Sequence, residues 1–176
     1  MFLENISVEK VSLLTPLRRF QDIKDYFNAC LEKNLYKFIP RKKPILDEEI
    51  EELWIPSINK NISYHAIYEG RVVGSATVFS DVNSTGYELA SKRKEGALGL
   101  TVDKRLKFNS QIEMILIEQL IKDSVYFYDL IPVEDSNLRN VYRGFNLSEQ
   151  PMKKDSFRSL GLSGDAIKFT YVIKDF

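Results

Sequence analysis

The spacing of apolar positions along the chain changes several times, and each change predicts an element. Ile6 to Leu14 carries β-branched and aliphatic residues and predicts an opening strand, which Thr15-Pro16 stops because proline has no N–H to donate. From Leu17 to Leu35 the apolar residues Phe20, Ile23, Phe27, Leu31 and Leu35 recur every three or four positions, the period of an amphipathic helix. Ile39-Pro40 closes that helix and Arg41-Lys42-Lys43-Pro44 reads as a basic loop. A second helix is expected over Asp47 to Trp54, with Asp47 as its cap. The period then shortens: Tyr64–Tyr68 and Arg71–Phe79 flank Glu69-Gly70 as the two strands of a hairpin, with Gly70 supplying the positive φ of a tight turn. Asp81 to Lys94 is polar and reads as loop, and Gly96–Val102 as a short strand. Ser110–Lys122 is the strongest helical stretch, its broad apolar face suited to lying on a sheet. Val125–Ile131 reads as a buried strand, Asn137–Tyr142 as a short helix ended by Gly144, and Ala166–Ile173 as a last strand. Strand–helix–strand crossovers join parallel strands, whereas the hairpin is antiparallel. The expected class is therefore α/β in the α+β sense: a mixed, mostly antiparallel sheet with a central parallel β-α-β crossover and helices on both faces.

Composition narrows the function classes. The 176 residues hold 25 Lys+Arg against 25 Asp+Glu, so the net charge is zero and a strongly basic nucleic-acid coat is excluded as the main theme. Lys92, Arg93, Lys94, Lys104, Arg105 and Lys107 could still form a local basic patch, but no nucleic-acid motif accompanies them, so neither nucleic-acid nor membrane partners are expected. One cysteine, Cys30, allows neither an internal disulfide nor a cysteine zinc site, and one histidine, His65, excludes a two-histidine metal site. Cys30 reads as a small buried side chain, and His65, in the first hairpin strand, as a packed or surface residue rather than a catalyst. No signal segment or membrane-length apolar run is visible, nor any linker or repeat, so residues 1–176 are expected to form one cytoplasmic domain.

The chemistry concentrates where a strand runs into a helix, from Leu100 to Ser110. A helix start presents unpaired N–H groups and the positive end of the helix dipole, and Lys104, Arg105 and Lys107 surround it. Such a turn suits a phosphate or pyrophosphate, although a solvated loop whose Asn109 or Ser110 caps the helix would read the same way.

Three groups of residues resemble the GCN5-related N-acetyltransferase (GNAT) family. The hairpin at Glu69-Gly70, followed by Val72-Val73-Gly74, resembles that family's G-x-x-V-G turn. Leu100-Thr101-Val102-Asp103, a polar loop and the helix from Ser110 resemble its acyl-CoA segment. Asn137 with Tyr142-Arg143-Gly144-Phe145 resembles its carboxy-terminal N…Y…GF signature. The resemblance covers roughly residues 5 to 176 and implies an acyl-CoA N-acyltransferase-like fold. It departs at the phosphate loop, where the family's Arg/Gln-x-x-Gly-x-Gly/Ala falls on Lys107, Ser110 and Ile112. A hydroxyl at Ser110 could itself donate to phosphate, whereas Ile112 is expected to crowd the cofactor while keeping its N–H available.

The resemblance implies acetyl-CoA as co-substrate, with no metal. It would be bound by Leu100 and Val102 of the strand, by Lys107, Phe108, Asn109, Ser110, Gln111 and Ile112 of the loop and helix start, and by Asn137. An N–H near Val102 would polarise the thioester carbonyl, and the acceptor, a primary amine of a small molecule or protein, would attack directly in a ternary complex. Tyr142 is expected to be the acid that protonates the leaving thiolate. Glu95 is expected to be the base, with Glu88 and Asp103 as alternatives. Trp54-Ile55-Pro56 is expected to be core rather than an acceptor wall. A homodimer through Phe169, Tyr171 and Phe176 is one expectation, burial of the last strand the other. The altered loop leaves open a non-catalytic protein of the same fold that binds CoA weakly or acts through protein contacts.

Overall fold

The architecture is taken from a computed structural model, which describes residues 5–36, 42–79, 96–124, 126–152 and 165–173. In chain order the elements are β1 (Ile6–Lys10), α1 (Leu17–Glu32), α2 (Asp47–Glu49), β2 (Ile62–Tyr68), β3 (Arg71–Val78), β4 (Leu98–Val102), α3 (Asn109–Asp123), β5 (Tyr126–Pro132), α4 (Ser136–Gly144), β6 (Ser148–Pro151) and β7 (Ala166–Val172). The strands form a four-stranded sheet, β1-β2-β3-β4, and a three-stranded sheet, β5-β7-β6, each antiparallel throughout.

The expected crossover β4–α3–β5 is present, but it does not build one continuous mixed sheet. Among the described residues β4 and β5 meet through a single parallel bridge, Ala97 to Tyr128, with the Tyr128 N–H donating to the Gly96 carbonyl at 2.9 Å. Gly96 sits at φ +87°, and a side chain there would fall 2.6 Å from the Tyr126 ring, so only glycine fits the approach of the two strands.

Several boundaries differ from the sequence reading for local reasons. β1 ends at Lys10 because Ser12 and Thr15 bond to one another in a turn, which leaves Leu13 and Leu14 exposed. α1 ends at Glu32 because Asn34 takes a left-handed conformation (φ +53°) and the Leu35 N–H closes back on the Cys30 carbonyl. The second helix is regular only over Asp47–Glu49, then widens over Ile50–Trp54 and tightens over Ile55–Lys60. Asp47 does not cap it; it lies inside the first turn and pairs with Lys24 at 2.6 Å. At the hairpin both Glu69 (φ +50°) and Gly70 (φ +78°) are left-handed, the pair a two-residue turn between twisted strands requires. Arg18 and Arg19 of α1 both donate to the Gly70 carbonyl, and Asp22 accepts the Val72 N–H, so α1 is tied across the end of the hairpin. β6 has no counterpart in the sequence reading.

Two cores lie on opposite faces of the larger sheet. On one, Ile112, Leu116, Ile117 and Leu120 of α3 pack with Leu98, Val102, Phe127, Ile131 and Phe169, so a single core serves both sheets. On the other, Phe20, Ile23, Tyr26 and Phe27 of α1 pack with Ile45, Ile50, Ile67 and Val72, with Trp54 and Ile55 against them. Of the Trp54-Ile55-Pro56 segment expected to be core, Trp54 and Ile55 are partly buried against this cluster and Pro56 is exposed. Phe169 is fully buried and Tyr171 packs against the first core. Among the described residues no helix is long and apolar enough to cross a membrane.

Candidate active site

The site begins at the edge of β4. Register and the bonds Phe79 N–H to Ala97 and Asp103 N–H to Val73 turn the backbone groups of Gly99, Thr101 and Asp103 toward β3. Antiparallel alternation then points those of Leu100 and Val102 the other way, into the opening where β4 and β5 part, and among the described residues no strand pairs with them there. The Tyr36 hydroxyl, its ring stacked on Phe27, reaches this edge and donates to the Val102 carbonyl at 2.9 Å. Nothing in the sequence pattern singled out Tyr36.

After Val102 the chain turns through Asp103–Phe108 into α3. The helix opens without a side-chain cap and without an acidic residue in its first turn. Asn109, expected as a possible cap, instead donates its side-chain amide to the Leu106 carbonyl at 2.7 Å. The N–H groups of Asn109, Gln111 and Ile112 are engaged by the carbonyls of Leu106 and Phe108, at 3.1–3.3 Å. Among the described residues the Ser110 N–H and hydroxyl make no hydrogen bond, and Ser110 is half-buried. Of the N–H groups from Asn109 to Ile112, that of Ser110 is the open one among the described residues.

Ile112 behaves differently from the expectation. Its side chain is fully buried and points away from the cleft, into the space left by Gly74, where a Cβ would come within 2.5 Å of Ile112 Cγ2. It does not crowd the cleft, and its N–H is bonded to Phe108 rather than available.

The three cations of the turn have separate fates. Arg105 makes a forked pair with Asp103, at 2.8 and 2.7 Å. Burial acts to raise the Asp103 carboxyl, but these Arg105 bonds outweigh it and hold the group below its ordinary value. Asp103 also accepts from the buried Cys30 thiol at 3.4 Å, and burial pushes that thiol up. Lys104 pairs at 2.6 Å with Glu113, whose buried carboxyl is raised by desolvation against the pull of the lysine. Lys107 is exposed, with no ion pair among the described residues.

A polar cleft of about 290 Å³ lies between these parts, lined by Leu35, Tyr36, Lys104, Asn109 and, from the start of α4, Glu134, Asp135, Ser136 and Asn137. The structure thus brings Asn109 and Asn137 to one cleft from distant parts of the chain. It also brings Glu134 and Asp135, which the sequence reading did not single out. Asp135 caps α4 by accepting the Leu138 N–H at 3.2 Å.

Tyr142 lies on the buried side of α4, fully covered, with its ring beside Phe169. Its hydroxyl donates to Asp129 of β5 at 2.6 Å. Burial first, then the Asp129 charge, pushes the phenol well above its ordinary value and keeps it protonated. Tyr142 is not among the cleft-lining residues. Glu95, Glu88, Arg41 and the basic run Lys92-Arg93-Lys94 lie outside the described residues.

No family model and no curated protein matches the sequence. Solved structures do match, over nearly the whole chain. An N-acetyltransferase from Staphylococcus aureus Mu50 aligns at 15% identity and TM-score 0.61, covering 97% of this chain and 99% of that one. Ribosomal-protein-alanine N-acetyltransferase from Brucella melitensis aligns at 16% identity and TM-score 0.66, covering 95% and 99%. A GNAT superfamily phosphinothricin acetyltransferase from Sinorhizobium meliloti, solved in complex with AcCoA, aligns at 13% identity and TM-score 0.68, covering 95% and 88%. With two antiparallel sheets parting after one parallel bridge, and α3 running from the open strand edge, the chain has the acyl-CoA N-acyltransferase-like fold of the GNAT superfamily.

Proposed function

We propose that the protein is an N-acetyltransferase that moves an acetyl group from acetyl-CoA to a primary amine. The observation that carries this reading is the open edge of β4, which aims backbone groups of Leu100 and Val102 into the gap beside β5, directly before a helix start whose Ser110 donors are open. The residues present fit a pyrophosphate group. Ser110 offers N–H and hydroxyl, Lys107 offers an uncommitted positive charge, and the dipole of α3 adds to both.

In this reading Leu100 and Val102 orient the bound thioester arm. The amine nitrogen attacks the thioester carbonyl carbon, the C–S bond breaks, the nitrogen loses a proton and the thiolate gains one. A backbone N–H aimed at the developing oxyanion is worth about 3 kcal/mol. Tyr142 is the proposed acid. Burial holds it protonated, as an acid must be, and its bond to Asp129 must open before it can act. Glu95 remains the proposed base. The cytoplasm is the proposed compartment, and a homodimer the proposed assembly.

One observation favours the alternative, a protein of this fold that binds CoA weakly or not at all: Lys104 and Arg105 are committed to Glu113 and Asp103, while Glu134 and Asp135 stand in or beside the cleft. The melting temperature with and without acetyl-CoA, with ATP as control, separates the two. Ligand at a hundredfold excess over its dissociation constant stabilises by ~2.7 kcal/mol, a rise of about 5–10 °C for a chain of this size. A shift confined to CoA species supports the transferase reading; no shift at millimolar ligand refutes it.

A further inference from the structure

Lys104 borders the candidate cleft and is held there by a carboxylate that the cleft does not reach. Asn109 and Glu113 stand four residues apart on one face of α3. Lys104, from the preceding turn, lines the cleft with the first and pairs with the second, its Nζ 2.6 Å from Glu113 Oε1. The lysine side chain is 31% exposed, whereas that of Glu113 is only 6% exposed and is not among the cleft-lining residues. Among the described residues Lys104 is the one hydrogen-bond partner of that carboxylate.

The two partners are not equally free to part. A lysine ammonium is a compact charge on a flexible stem, and this one can turn toward solvent. The carboxylate cannot follow it. Without Lys104 it would be a buried charge with no partner, a state that a carboxyl leaves by taking up a proton. Its surroundings favour the neutral form. Burial raises the Glu113 carboxyl most, Asp135 before α4 raises it further, and Lys104 opposes them. On the α4 side the Tyr142 hydroxyl also lies within range of its charge, but that phenol stays protonated and bound to Asp129 of β5. The strands on which α3 lies, β2, β3 and β4, set no charge of the described residues against it.

We infer that Lys104 is a further binding residue of the cleft, held in reserve by Glu113: a pyrophosphate seated at the start of α3 draws the ammonium away from Glu113, and the abandoned carboxylate takes a proton from solvent. The inference rests on the acetyl-CoA reading for the source of that pyrophosphate; the coupling of Lys104 to Glu113 rests on the ion pair and its burial. From Glu113 to Asn109 the ammonium has one helical turn to travel, about 5–6 Å, which a lysine side chain can span. Charge balance gives the exchange its effect. With Glu113 ionised the pair is neutral and adds little to the attraction for an anion. With Glu113 protonated the same pair carries one positive charge, beside the open donors of Ser110 and the exposed Lys107. The cleft therefore binds its anion together with a proton, and holds it less tightly as the pH rises.

Calorimetric titration of the full chain with acetyl-CoA and with inorganic pyrophosphate tests the inference without requiring turnover. Run at one pH in two buffers of different ionisation enthalpy, it counts the protons taken up on binding. Phosphate groups of the ligands titrate themselves, at about pH 6, so the comparison is with Glu113→Gln, which keeps the ligand's protons and removes that of Glu113. Wild type should take up at least about half a proton more per ligand than the variant, and the variant should bind at least about tenfold more tightly at pH 8. Adding Lys104→Met to Glu113→Gln should weaken binding again by at least about tenfold, a loss that a purely structural ion pair would not produce. If Glu113→Gln does not fold, the infrared difference spectrum of wild type with and without pyrophosphate takes its place, and should gain a protonated-carboxyl band. Equal proton uptake and affinity in wild type and Glu113→Gln, unchanged affinity on adding Lys104→Met, absence of that band, or no binding of either ligand to any of these proteins overturns the inference. The acetyl-CoA reading fails separately. Acetyl-CoA bound without the extra proton sinks the inference and keeps the reading. Pyrophosphate bound with the extra proton, and acetyl-CoA not bound, sinks the reading and keeps a proton-coupled anion site.

Discussion

Neutral burial of His65 makes the fold sensitive to acid in a way that can be isolated. Desolvation first, and the Arg19 charge second, lower the imidazole from 6.5 to about 3. Its folded value lies below its unfolded one, so the unfolded chain binds the proton more readily. The stability tied to this group is complete above about pH 6.5 and drains away as the pH falls toward 3. At pH 5, well above the folded value and well below the unfolded one, the full slope of about 1.4 kcal/mol per pH unit acts. Integrated from pH 7, the loss is about 2 kcal/mol, a large share of the 5–15 kcal/mol typical of a domain. The perturbation is His65→Phe, and the assay is urea unfolding of wild type and variant at pH 7 and pH 5. Carboxylates titrate over the same range in both proteins, so subtracting the variant's acid loss from that of the wild type leaves the His65 contribution. That double difference should be about 2 kcal/mol, with the variant no less stable than wild type at pH 7 because no hydrogen bond is lost. A double difference below about 0.5 kcal/mol would refute the account, since it would mean that the ring is solvated or already paired.

Three further outcomes follow from single contacts. Gly74→Ala places a Cβ 2.5 Å from Ile112 Cγ2 and within 3.2 Å of Leu116 and Val102, so it should cost about 1–3 kcal/mol in chemical unfolding, partly restored by Ile112→Ala. Lys104→Met strands the Glu113 carboxylate, whose side chain is only 6% exposed; a loss of about 3 kcal/mol is expected at neutral pH, shrinking as Glu113 takes up a proton and largely recovered by adding Glu113→Gln. Tyr142→Phe removes a hydrogen-bond donor to the buried Asp129 and should cost about 1–3 kcal/mol of stability. In its proposed role the same change lowers kcat by about 100-fold or more with KM for acetyl-CoA unchanged, whereas a stability loss with full turnover would make the residue structural only.

The elements legible in the sequence were those whose pattern repeats the geometry of the fold. The hairpin at Glu69-Gly70 was marked by its turn residues, and α3 by its apolar stripe; both lie within a residue or two of their expected bounds. β6 was not legible because Ser148–Pro151 is exposed throughout and paired only through its backbone to β7, so no side-chain alternation records it. The end of α1 was misplaced because Leu31 and Leu35 continue the apolar period past Asn34, whose left-handed backbone decides the matter. At the candidate site, strand-to-helix order and the family resemblance pointed to the edge of β4 at Leu100 and Val102 and to the start of α3, and the structure brings Asn109 and Asn137 to one cleft. Two things were hidden. The direction of Ile112 depends on Gly74, thirty-eight residues earlier in the chain, and the commitments of Lys104 and Arg105 depend on where Glu113 and Asp103 come to lie. Pairings of this kind are settled by packing, and a linear pattern carries no record of them.

The same pairings decide where affinity for an anion has to come from. Had Lys104 and Arg105 been uncommitted, the turn before α3 would hold a phosphate mainly by charge. With both engaged, the attraction reduces to Lys107, the Ser110 donors and the end of a helix whose first turn carries no acid. Backbone and hydroxyl donors are directional, and they reward a ligand that fits the edge of β4 more than one that is merely negative. Screening by salt weakens exposed charge far more than it weakens such bonds. On the proposed acetyl-CoA reading, a cleft built this way discriminates CoA from ATP by the fit of its arm along Leu100 and Val102. In the proposed function, Glu134 and Asp135 of the cleft add to that discrimination by opposing any anion that does not seat itself on Ser110.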